Sequence, residues 1–164
     1  DFTCIMPVGV TPKNDRYVLP FTKRRMAPSQ VIQEIISMAK LWKPLKTSIE
    51  TSGQQDIYRD ILRNLEDVYI PGLAVKHNPR QSKEKRYIES LEPWFYKKKV
   101  YLLKGMDDFK DELLQFRRDM RHAHDDMIDA FYYATRGAYA PGGEIEHRET
   151  SEKGAKEEYP WQVA

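Results

Sequence analysis

His124-Asp125-Asp126-Met127-Ile128-Asp129-Ala130 sets three carboxylates within five residues and runs directly into Ala130-Phe131-Tyr132-Tyr133-Ala134, with no glycine or proline to stop a helix. The pattern predicts a helix that begins on an acidic turn. On such a helix Asp126 and Asp129 stand three apart and Asp125 and Asp129 four apart, on neighbouring parts of one face. Like charges at that spacing repel. The helix N-terminus relieves part of the repulsion, because its dipole favours negative charge, and a divalent cation between the carboxylates relieves far more. A solvated, ordinarily capped first turn is the plainer account, but three acids ahead of an apolar run make metal binding an equal contender. His124 at the start of the stretch suits capping or packing as well as orienting a carboxylate.

Upstream, Lys46-Thr47-Ser48-Ile49-Glu50-Thr51 is short and β-like, and Ser52-Gly53 breaks it before a helical pattern from Gln54 to Glu66. Glu50 is therefore expected at the C-terminal end of a strand, before a strand-to-helix turn, where ligand sites gather in open α/β sheets. A strand-end glutamate standing alone is more often simply exposed.

The other elements frame these two acidic positions. Asp1 to Val10 and Arg16 to Phe21 read as a β-hairpin around the turn cluster Gly9 to Asp15, with Pro7 and Pro20 demanding an edge or a bulge. Pro28-Ser29 starts and Pro44 stops a helix carrying Val31, Ile32, Ile35, Ile36, Met38 and Ala39 at helical spacing. Leu73 to Lys76 predicts a strand, His77 to Ser82 a loop, Lys83 to Leu91 a short helix, Val100 to Leu103 a strand and Met106 to Phe116 an amphipathic helix. Arg117-Arg118-Asp119-Met120-Arg121 forms a basic connection into the acidic helix, whose Phe131, Tyr132 and Tyr133 are most simply core packing.

A length of 164 residues suits one domain with a real core. The net charge of +2 divides unevenly: residues 137 to 164 carry six acids against three bases, which leaves a basic body suited to a polyanion. That same segment, with Gly137, Pro141, Gly142 and Gly143, is poor in aliphatic residues, so the domain is expected over 1–139 and a mobile charged tail over 140–164. The terminal Tyr159-Pro160-Trp161 remains a candidate for docking. No run approaches the roughly 20 apolar residues of a membrane span, and no leader resembles a signal peptide. The single Cys4 excludes an internal disulfide and argues against zinc. Walker and Gly-x-Ser-x-Gly signatures are absent, which removes the usual marks of nucleotide hydrolysis and acyl transfer.

Five stretches in order, DFTCIMPVGV, DRYVLPFTKRRMAPSQVIQEI, SIETSGQQ, SKEKRYIESLEPWF and HDDMIDAFYYA, give the chain over residues 1 to 136 a resemblance to a known family. It resembles the C-terminal nuclease domain of the large terminase subunit of tailed bacteriophages, an RNase H-like fold related to the RuvC resolvases. The resemblance implies an α/β fold, an RNase H-like mixed sheet flanked by helices. It implies a site built from Glu50, Asp126 and Asp129, with Asp125 adjacent. It also implies an earlier strand bearing a first acid in an Asp-Pro-Ala-like segment ahead of Asp1, a segment that the sequence does not contain. Activity of the chain without that acid is an open question of the resemblance. Its further implications are cutting of concatemeric viral DNA in packaging, partners in a portal protein, a small terminase subunit and an ATPase domain outside this chain, and work in the cytoplasm of an infected bacterial host.

The chemistry agrees with carboxylates as the protein's contribution. A phosphodiester repels an attacking hydroxide, and two Mg²⁺ or Mn²⁺ ions roughly 4 Å apart overcome this by placing positive charge on the entering and leaving oxygens. Such hard cations take oxygen ligands. Glu50, Asp126 and Asp129 are expected to hold them, with Asp125 joining directly or supporting from behind. Double-stranded DNA is expected to be held through its phosphates by Lys83, Arg86, Arg118 and Arg121, without readout of base edges. A RuvC-like junction or transposition nuclease would use the same chemistry on another DNA geometry. A non-catalytic DNA-binding or capsid-docking module would use none of it.

Overall fold

The computed structural model describes residues 2–49, 55–65, 68–72, 82–116, 125–136, 138–141 and 161–163. The chain opens on two antiparallel arms, and each breaks at the proline that the sequence places in it. Pro7 separates β1 (Thr3–Ile5) from β2 (Val8–Val10), and Pro20 separates β3 (Arg16–Val18) from β4 (Thr22–Arg24). Proline cannot donate to a ladder, and here its cost is a full division of the pairing. β1 and β4 form a two-stranded sheet, while β2 and β3 join β5 (Val100–Leu103) and β6 (Trp161–Val163) in a second sheet of order β2-β3-β5-β6. Only the β3 and β5 pairing is parallel, so this sheet is mixed. The hairpin turn is made by Asn14 in the left-handed region and by Thr11, whose Oγ1 accepts the Asp15 amide at 3.1 Å.

Five helices flank the sheets among the described residues. α1 (Pro28–Trp42) starts with proline at its first position, and the Gln30 side chain accepts the Ala27 amide at 2.8 Å. It ends at Lys43, whose backbone turns left-handed just before Pro44. Its buried Ala39 packs with Leu62 of α2 (Gln55–Arg63) and with Ile70, and Ile32, Ile35 and Ile36 gather around them. α3 (Lys83–Tyr96) runs past its expected end through Pro93, because Leu91, Trp94 and Phe95 continue to pack against the main core. α4 (Asp107–Gln115) follows β5, and α5 (Asp126–Thr135) is the acidic helix. Met127, Ile128, Phe131, Tyr132 and Tyr133 of α5 are buried against Val18, Val100, Leu102, Tyr87 and Phe109. The aromatic stripe is core.

Two expectations are corrected. Residues 46–49 form no strand; Thr47 donates its amide to Pro71 O at 2.7 Å, and no strand pairs with the segment among the described residues. Residues 161–163, the end of the expected mobile tail, form β6 on the free edge of β5, where a short β-prone Trp-Gln-Val segment finds backbone partners. Residues 142–160, the expected strand at Leu73 to Lys76 and the basic connection 117–121 lie outside the described residues. Among the described residues, no helix is long and apolar enough to cross a membrane.

Candidate active site

The acidic helix α5 begins with an unusual division of labour. Asp125 occupies the N-cap position, yet its side chain caps nothing. The exposed amides are taken instead by Glu112 of α4, whose Oε1 accepts from Met127 N at 2.8 Å and from Ile128 N at 2.9 Å. Its other oxygen, Oε2, receives Lys23 Nζ of β4 at 3.0 Å, and the glutamate side chain is only 8% exposed. A carboxylate at a helix N-terminus satisfies orphan donors and meets the positive end of the dipole. With that role filled from another helix, the acids of α5 itself are released for other partners.

Asp125 and Asp129 both turn to Lys83, the first residue of α3. Its Nζ stands 2.5 Å from Asp125 Oδ2 and also bonds Asp129 Oδ2. Burial pulls the Lys83 ammonium downward, but the hydrogen bonds to Asp125 and Asp129 outweigh it and hold its pKa above the ordinary lysine value. Lys83 thus places one cation against two carboxylates four apart in the sequence.

Asp126 points elsewhere. Together with Asp129 it lines a cleft of about 960 Å³ whose walls come from β1, β2, α1 and residues 46–49. Among the described residues no base forms an ion pair with Asp126. Cys4 of β1 lines the same cleft, and burial, with the negative charges of Glu112 and Asp126 added, pushes its thiol up to about 12 against a partial offset from Lys23. Ser48 and Ile49 also line it, which brings the chain to the cleft immediately before Glu50. Glu50 itself, His124, Arg118 and Arg121 lie outside the described residues.

The donor set fits a hard divalent cation in kind: oxygen ligands, two of which already converge on one positive charge. Among the described residues no group of three His, Cys, Asp or Glu side chains gathers to hold a metal. The described part of the site is therefore the pair Asp125 and Asp129 with Asp126 beside it.

The expected phosphate contacts are placed differently from one another. Lys83 is engaged with the acids. Arg86 is only 8% exposed, with its guanidinium over the Tyr132 ring at 5.8 Å and its Nε and Nη1 without hydrogen-bond partners among the described residues. Among the described residues the bases exposed at the cleft are Lys43 and Lys46, which sequence reasoning passed over. Lys43 is visible in the sequence only as a helix end before proline, and Lys46 only as the start of a short β-like run. Glu112 was equally unmarked, because its cap crosses from α4 to α5.

No family model matches the chain, and no curated protein matches it. Among solved structures it is similar to the Holliday junction resolvase of fowlpox virus, with 12% identity, a TM-score of 0.44, and coverage of 84% of this chain and 97% of that one.

Proposed function

We propose that the chain is a metal-dependent endodeoxyribonuclease domain with an RNase H-like architecture, cutting duplex DNA as a terminase large subunit does in genome packaging. The observation that carries this reading is the shared cleft: Asp126 and Asp129 from the first turn of α5 open onto the same space as Ser48 and Ile49, the residues leading into Glu50. The segment that leads to Glu50 and two helix acids thus share one cleft, from positions more than 70 residues apart in the sequence. A turn that was merely solvated has no need of a common cleft.

In this reading Glu50, Asp126 and Asp129 hold the cations and Asp125 supports them. Mg²⁺ or Mn²⁺ bound there supplies positive charge at the entering and leaving oxygens of the phosphodiester. Glu112 fixes the acids by fixing the turn that bears them, and its own carboxylate is kept out of the cation's reach by the Met127 and Ile128 amides. Lys43 and Lys46 at the cleft, with Arg118 and Arg121, supply phosphate contacts that are indifferent to sequence. The resemblance to terminases adds a portal protein, a small subunit and an ATPase domain as partners, and the cytoplasm of an infected bacterium as the setting.

The experiment is cleavage of a linear duplex and of a four-way junction, each with Mn²⁺ and with EDTA. Metal-dependent cutting of the duplex at least as fast as of the junction is the expected result. Preference for the junction by tenfold or more moves the chain to the resolvase-like reading. Cutting of neither leaves a binding module and overturns the assignment.

A further inference from the structure

We propose that the outer face of the four-stranded sheet binds unpaired DNA, with Tyr17 and Tyr101 as a stacking platform for its bases. The inference goes beyond duplex cleavage and does not depend on a metal centre. Alternation along the strands decides which residues form this face. Val18 of β3 and Val100 and Leu102 of β5 are buried in the core that α3, α4 and α5 cover, and Arg16 of β3 is buried over the Trp94 ring of α3. Tyr17 and Tyr101, the residues between them, point the other way, and each keeps part of its surface exposed. The parallel register sets the two side by side. Their rings stack with centroids 4.7 Å apart and 11° between the planes.

An aromatic pair across two strands stabilises a sheet wherever it occurs, so the stack alone does not define a ligand. Its surroundings do. The turn before β3 and the entry to β5 are tied together at one end of the sheet, where Lys99 Nζ donates to Lys13 O at 3.1 Å and to Asp15 Oδ1 at 2.7 Å. Tyr17 and Tyr101 each stand one residue inside that end. With Asp15 answered by Lys99, the exposed Lys13, Lys97 and Lys98 remain there, and none of the three forms an ion pair among the described residues. Tyr96, 87% exposed, stands immediately before Lys97 and adds a third ring to the basic end.

Flat rings beside unanswered cations suit one kind of partner best. An acidic protein surface would satisfy the lysines and an apolar one the rings, whereas a nucleotide satisfies both, its base on a ring and its phosphate on a lysine. The bases must be unpaired, because those of a duplex are stacked on one another and cannot lie flat on a sheet. The platform also adjoins the cleft. Gly9 of β2 is in register with Tyr17 and lines the cleft, and it contributes no side chain to the row between them. A single strand leaving the cleft has a short, low path across β2 to the tyrosines.

The test is fluorescence anisotropy of a labelled oligo-dT strand of about twelve nucleotides, with EDTA present so that no cleavage intervenes. Tyr17→Ala and Tyr101→Ala are each expected to weaken binding about tenfold or more, while Tyr17→Phe, which keeps the ring, stays within about threefold of wild type. Changing Lys97 and Lys98 together to alanine should flatten the slope of log affinity against log salt by roughly 1 to 2. A second measurement needs no variant: the same strand made abasic throughout keeps its phosphates, loses its bases and should bind about tenfold more weakly or worse. Equal affinity for the abasic and the dT strand overturns the platform, as does wild-type affinity in a folded Tyr17→Ala protein or no binding of dT at all. Self-association of the wild type that Tyr17→Ala abolishes, with dT binding unchanged, assigns the face to a second copy of the chain and overturns the proposal too. Duplex cleavage with Mn²⁺ is measured separately, so failure here leaves the nuclease reading standing.

Discussion

Glu112 Oε1 sits 2.8 Å from the amide nitrogen of Met127 and so caps a helix to which it does not belong. The residue formally at the cap, Asp125, is bound to Lys83. One carboxylate from α4 thus sets the orientation of the acidic turn while leaving that turn's own acids to face outward.

Glu112→Ala is expected to destabilise the protein by about 1–3 kcal/mol, through loss of a cap and of a largely buried acceptor. Glu112→Gln retains an acceptor for the two amides and should lose less, with the difference reflecting the Lys23 ion pair. Urea unfolding of the three proteins measures this. A loss under about 0.5 kcal/mol for the alanine variant would mean that water caps α5 equally well.

The Cys4 thiol supplies a pH test. Its pKa is raised from an ordinary value of 9.0 to about 12. A folded pKa above the unfolded one means stability that is complete below about pH 9 and lost as pH rises toward 12. Cys4→Ser should reduce this alkaline loss. At pH 8 the thiolate is far scarcer than in the unfolded chain, and although a more basic thiolate is the better nucleophile, alkylation of the native protein should still be slower by roughly thirtyfold. Native and urea-unfolded rates within tenfold of each other would contradict the environment found at Cys4.

Much of the frame was legible because it depends on local rules. Proline at the start of α1 and just past its end, the helical spacing of Val31, Ile35 and Ala39, and the apolar run after Asp129 each reflect a few neighbouring residues. The prolines at 7 and 20 announced their disruption of the hairpin, although its extent, a division into two sheets, depends on the partner strands. The site was legible in its acids and not in their partners. Repulsion among Asp125, Asp126 and Asp129 follows from spacing, but the choice of Lys83 to relieve it and of Glu112 to cap the turn is made by the packing of α3 and α4 against α5. For the same reason Arg86, basic and on a charged helix in the sequence, turns out to be buried against Tyr132. The residues at 161–163 belong to a segment whose charged, aliphatic-poor composition predicted a mobile tail, and they gain their structure from the edge of β5.

The two exposed lysines at the cleft make the proposed DNA interface testable. Changing Lys43 and Lys46 together to alanine is expected to weaken binding to unrelated duplexes equally and to flatten the slope of log affinity against log salt by about 2. Fluorescence anisotropy at several salt concentrations gives both numbers. An unchanged slope would place the phosphates elsewhere than on Lys43 and Lys46.

The central claim, that the acids of α5 hold a catalytic cation, is tested most directly by Asp129→Asn in a supercoiled-plasmid nicking assay with Mn²⁺, wild type beside variant. Asparagine preserves size and loses the charge that holds a divalent ion. It also relieves repulsion in the turn, so the fold should persist, with a melting temperature within a few degrees of wild type. In a protein that also carries the first-strand acid implied by the resemblance, the expected result is Mn²⁺-dependent nicking without the substitution and a loss of at least a hundredfold with it. Nicking by Asp129→Asn at the wild-type rate and an unchanged melting temperature would contradict the account.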